Sequence, residues 1–100
     1  MLEIVVWPKL HKNIEFKQTL DCLSGSLQDY CLVLEVSQSE SGETFRLYAE
    51  WDKAEQMDIM LQSGEFSILS GAIAALCEKS EIMLNDKPFS TDISELLLIN

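Results

Sequence analysis

The run Thr44-Phe45-Arg46-Leu47-Tyr48-Ala49-Glu50-Trp51 constrains the fold of this chain more than any other stretch, because its alternation is nearly perfect. Successive side chains of a strand point to opposite faces. Phe45, Leu47, Ala49 and Trp51 therefore share one face and Arg46, Tyr48 and Glu50 the other. An apolar face of this kind needs cover, and helical patterns occur on both sides of it. The first has Phe16, Leu20, Leu23 and Leu27 on one face, with Asn13 as its expected cap and Gly25 weakening its last turn. The second is broken at Ser63-Gly64: Asp52 is expected to cap a segment over 54–62 with Met57, Met60 and Leu61 inward. Its continuation over 66–77 places Phe66, Leu69, Ile73 and Leu76 on one face.

The remaining strands are read at 2–7, ending at Pro8, at 30–36, and at 81–85. In the 30–36 segment Leu32, Leu34 and Val36 are expected on the apolar side, and Cys31, Val33 and Glu35 on the mixed side. The polar run Ser37–Glu43 joins that strand to the central one as an antiparallel hairpin. The order is βαββαβ, a ferredoxin-like α+β fold in which helices cover one face of an antiparallel sheet. One hundred residues make a single domain, 1–100, whose last part, 87–100, is an apolar tail that needs a surface to cover.

The uncovered sheet face then collects Glu3, Val5, Trp7, Cys31, Val33, Glu35, Arg46, Tyr48, Glu50, Glu81 and Met83, about half of them apolar. A second copy laid against it around a twofold axis is the economical cover, so a homodimer is expected; a solvated sheet face is the alternative. Seven Lys and Arg against seventeen Asp and Glu give a formal net charge of −10, which opposes nucleic acid and anionic membranes as partners. No apolar run approaches the ~20 residues of a membrane span, and Met1–Pro8 lacks the basic start of a signal peptide, so a cytoplasmic location is expected. Cys22, Cys31 and Cys77 show neither a disulfide framework nor metal-ligand spacing, and they read as reduced thiols.

The order of elements, Phe16-Lys17-Gln18-Thr19-Leu20, Thr44-Phe45 through Glu50-Trp51, and Gln62-Ser63-Gly64-Glu65-Phe66 followed by Leu69-Ser70-Gly71-Ala72 resemble the antibiotic biosynthesis monooxygenase family over about residues 2 to 86. The resemblance implies a dimeric α+β barrel. It also implies a pocket between sheet and helices that takes a phenolic, quinol-like or haem-type substrate, oxidised by O2 often without flavin or an added metal. No cofactor and no metal are therefore expected. Met60 stands where relatives commonly carry a His, Ser70 where haem-degrading relatives carry one, and Asp29-Tyr30 where a Gly-Cys often opens the second strand.

Two functions follow as expectations. In the first, the chain is a cofactor-independent monooxygenase acting on a small aromatic or quinol. Tyr48, Glu50, Arg46 and the sole histidine, His11, would serve the chemistry, and Trp7, Trp51, Met57, Met60 and Phe66 would line the substrate pocket. In the second, a non-enzymatic dimeric module keeps the fold and binds an aromatic metabolite or a protein partner. The bland reading of each residue stands beside both: an Arg-Glu pair at an interface, a solvated loop histidine, and Trp, Met and Phe as packing.

Overall fold

The structure, a computed structural model, describes residues 1–98. Five strands, β1 (Leu2–Pro8), β2 (Val33–Gln38), β3 (Phe45–Glu50), β4 (Cys77–Leu84) and β5 (Lys87–Ser90), form one antiparallel sheet in the order β2-β3-β1-β4-β5. Three helices, α1 (Asn13–Gln28), α2 (Ala54–Leu61) and α3 (Gly64–Leu76), cover one face, α2 and α3 meeting at a bend of 62°. This is the ferredoxin-like arrangement with one strand added at its edge. No single described helix is long and apolar enough to cross a membrane.

The alternation seen in the central strand holds. Phe45, Leu47 and Ala49 are buried with Leu2, Ile4, Val6 and Ile82 beneath the helices, while Arg46, Tyr48 and Glu50 are only half-buried on the far side. Phe16, Leu20, Leu23 and Leu27 fill the sheet-facing side of α1, and Phe16 meets Phe45 with ring centroids 5.4 Å apart. Gly25 does not end that helix: it sits on the solvent side with nothing near it, and burial of Leu23 and Leu27 on either side carries the helix to Gln28.

Several boundaries differ from the sequence expectation. The second strand begins at Val33 rather than Tyr30. Leu32 is consequently outside the sheet and 65% exposed, and Cys31 turns toward the helices instead of the open face, its Sγ 3.4 Å from the Leu27 carbonyl. Asn13 is the first helical residue rather than a cap, because its amide donates to Gly42 O at 2.6 Å across the hairpin. Asp52 does not cap α2 either: Gln56 Oε1 reaches back to the backbone N–H groups of Asp52 and Lys53. Ser63, at the helix break, caps α3 by accepting from the Phe66 N–H at 3.2 Å.

The fourth strand starts at Cys77, four residues before the expected one, because β1 pairs with it along its whole length, from Leu2 with Leu84 to Pro8 with Cys77. The tail is structured. Asn85 and Asp86 both adopt positive φ, 52° and 66°, the two-residue hairpin geometry that matches strand twist, and β5 returns along β4 with Pro88 tolerated on an edge. A 3-10 helix, Ile93–Leu98, then lays Ile93 and Leu96 into the core, Leu96 with 0% exposure. The expectation for the side chains beyond Leu96 lies outside the described residues.

Candidate functional site

The predicted site residues divide among three places. Arg46, Tyr48 and Glu50 project together from β3 onto the open face, since they alternate with its buried residues. Register puts Tyr48 between Glu3 of β1 and Glu35 of β2, and Arg46 opposite Val5. Arg46 Nε donates to Glu3 Oε2 at 2.8 Å, and its guanidinium carbon lies 5.0 Å from the Tyr48 ring centroid. The cation is thus engaged twice within its own face. The Tyr48 phenol is held above its ordinary pKa, first by the Glu50 carboxylate as hydrogen-bond acceptor, then by partial burial and by the charges of Glu50, Asp86 and Glu35. It is protonated at neutral pH. A neutral phenol beside a carboxylate can donate one hydrogen bond and relay one proton.

Met60 and Phe66 lie on the opposite side of the sheet and are both 0% exposed. They are packing residues of a filled core. The space between sheet and helices bounded by Ile4, Val6, Phe16, Phe45, Leu69 and Ile73 amounts to about 10 Å³, at the lower limit for a single water molecule. Met60 Sδ is 3.5 Å from Cys31 Sγ, and burial raises the Cys31 thiol. Trp51 follows β3 and packs on the core, its Nε1 buried with no hydrogen-bond partner among the described residues. With Met57 it borders a shallow depression of about 220 Å³ that also includes Met1, Lys53 and Asn85.

The third place is the far end of β1. Trp7 and His11 line one groove of about 400 Å³, with Leu10, Asn13, Glu43 and Glu78. His11 is exposed on the loop after β1 at φ 71°. Trp7 pairs across to Lys79, whose ammonium lies 4.6 Å from the indole centroid, whereas Tyr48 pairs near the start of β1. His11 and Trp7 are therefore at one end of the sheet and the Tyr48–Glu50 pair at the other. Among the described residues no three His, Cys, Asp or Glu side chains converge to hold a metal ion.

Sequence reasoning did not assign Glu3 as the partner of Arg46, because strand register is invisible in a pattern of alternation. It also missed the groove residues Asn13, Glu43 and Glu78, which come from three separate elements.

The fold defines a class: a ferredoxin-like α+β sheet with its helices on one side, as the antibiotic biosynthesis monooxygenases have. No protein-family model matches the sequence, and no curated protein matches it. Solved structures do. The chain superposes on an antibiotic biosynthesis monooxygenase with a TM-score of 0.74 at 18% identity, over 86% of this chain and 97% of the other. A conserved protein from Methanosarcina mazei Go1 gives 0.73 at 21% identity, over 86% and 91%. Rv0793 from Mycobacterium tuberculosis gives 0.74 at 11% identity, over 83% and 90%. At these identities the likeness is one of fold, and it is the fold expected from the Phe16–Leu20, Thr44–Trp51 and Gln62–Ala72 segments.

Proposed function

We propose that this chain works as a homodimer closed over its open sheet face, and that it is a non-enzymatic module binding a small aromatic compound on a monooxygenase-like scaffold. The observation that carries the reading is the filled interior: Met60, Phe66 and Leu69 occupy with their own side chains the space between sheet and helices that a substrate would need. The open face, by contrast, combines Val5, Val33 and Met83 with a satisfied Arg46–Glu3 pair, a composition suited to contact with a second copy. A ligand that protects the dimer against heat and is recovered unchanged is the expected result.

A second reading, oxidation of a small phenol or quinol by O2 without a bound cofactor, is favoured by one feature. Tyr48 and Glu50 place a neutral phenol next to a carboxylate on a face that two copies would enclose, where a substrate hydroxyl could give up its proton. Incubation of the purified protein with a panel of quinols in an oxygen electrode separates the two. Consumption of O2 that Tyr48→Phe abolishes establishes the oxidative reading and overturns the module; binding with no O2 uptake keeps the module.

A further inference from the structure

The two edges of the sheet are finished differently. At β5 the edge is blunted: the strand is short, Lys87–Ser90, Pro88 has no N–H to offer, and the register breaks between Ile82 and Met83. At β2 the register runs unbroken from Val33 to Gln38, the strand contains neither proline nor lysine, and every residue from Glu35 to Gln38 is exposed. An edge left open in this way is a template for one more strand.

Strand register fixes which groups that edge offers. Ser39 N–H donates to Thr44 O at 3.0 Å, and hydrogen-bonded positions alternate along an antiparallel pair. Val33, Glu35 and Ser37 therefore turn their backbone N–H and C=O groups to β3, and Leu34, Val36 and Gln38 turn theirs outward in the plane of the sheet. These outward groups have no hydrogen-bond partner among the described residues. Val36 is 36% exposed beside the half-buried Leu34, and Glu35 points to the other face. Between Lys17 and Arg46 the chain has no Lys or Arg. Of the carboxylates in that interval, Asp21, Asp29, Glu35, Glu40 and Glu43, only Asp21 has a cationic partner among the described residues, Lys17.

We infer that β2 accepts an extended, basic segment of a partner protein as an added strand. The backbone of that segment exchanges hydrogen bonds with Leu34, Val36 and Gln38. Its apolar side chains lie beside Leu34 and Val36 on the helix side, and the Lys or Arg side chains that alternate with them meet Glu35. The main chain supplies affinity and the charge supplies selection. A second copy fits this edge less well, because β2 laid against itself brings together two carboxylate-bearing strands without a cation. The contact lies in the plane of the sheet and does not depend on what covers the open face, so it goes beyond the dimer and its aromatic ligand.

The test is a titration of the 15N-labelled full chain with an acetylated, amidated heptapeptide that alternates valine and lysine. Its valine–glutamate counterpart is the charge control. A version N-methylated on the valines, whose amides would face β2, is the control for strand pairing. The expected result is a saturable shift of the Leu34, Val36 and Gln38 amide signals with the lysine peptide, and hydrogen exchange at those amides at least tenfold slower. Both control peptides should bind at least tenfold more weakly, and Glu35→Lys, a change at an exposed side chain, should weaken the lysine peptide at least threefold. Equal binding of the glutamate peptide overturns the charge selection, and equal binding of the methylated one shows charge contact without an added strand; either result overturns the inference. Saturable shifts confined to other residues, or none at all, overturn it as well. Protection of the same amides in the chain alone, rising with protein concentration, would assign the edge to a second copy and overturn the partner segment.

Discussion

The two faces of one sheet follow different physics. On the helix side Leu2, Ile4, Val6, Phe45, Leu47 and Ala49 meet α1 and α3, and each is nearly or fully removed from water. On the other side, the residues between them, Glu3, Val5, Trp7, Arg46, Tyr48 and Glu50, are only half-buried within one protomer. The first face is finished by its own chain, and its uniform apolarity leaves no chemistry in it. The second mixes Val5, Val33 and Met83 with the Arg46–Glu3 and Lys79–Glu81 pairs and with Glu35 and Glu50, which have no ion-pair partner among the described residues. The lesson is that the residue types suggestive of a pocket, Met60 and Phe66, went to the finished face, and those suggestive of chemistry to the unfinished one.

Substitutions sharpen the contrast in order of size. Phe66→Ala removes a fully buried ring and should cost about 3–5 kcal/mol in urea unfolding; a cost under about 1 kcal/mol would mean that the core face contains room not seen here. Leu96→Ala should cost about 2–4 kcal/mol by the same measurement, because the 3-10 helix is part of that core. A neutral outcome would detach the tail from the fold. On the open face, Arg46→Ala should change protomer stability by only about 0–1 kcal/mol, since its pair with Glu3 is partly solvated. Unfolding followed across a range of protein concentrations would show the effect instead in the dimer.

Alkaline pH offers a smaller, graded probe. Burial raises the Cys77 thiol from 9.0 to about 11, with Lys9 opposing, and the Tyr30 and Tyr48 phenols are raised by the carboxylates of Glu65 and Glu50. The folded chain holds these protons more tightly than the unfolded one. The stability that Cys77 contributes is complete below about pH 9 and is lost as pH rises through about 11, and the two raised phenols act in the same direction at alkaline pH. The urea midpoint should fall across that window, and iodoacetamide at pH 8 should modify exposed Cys22 well before Cys77. A midpoint that rises there would reverse the sign.

Much of the fold was legible because periodicity records burial directly. The i, i+4, i+7, i+11 spacing of Phe16, Leu20, Leu23 and Leu27 and the alternation from Phe45 to Glu50 each identified a covered face. The start of β4 was not legible: Glu78, Lys79 and Glu81 are exposed and Ser80 is buried through a hydrogen bond to Thr91 O, so no apolar rhythm marks the strand. The fifth strand left a signal in Asn85-Asp86, residues that accept positive φ, and the Pro88 that followed hid it. The site was harder still. Trp7 and His11 lie far from Glu43 and from Glu78 in sequence, and only the register of β1 with its neighbours brings them to one groove.

The central claim is that the open face is completed by a second copy. Native mass spectrometry of the purified chain tests it most directly. The account predicts a dimer that Val5→Asp, at the middle of the open face, dissociates into folded protomers. A monomer at micromolar concentration, or a dimer indifferent to Val5→Asp, would contradict it.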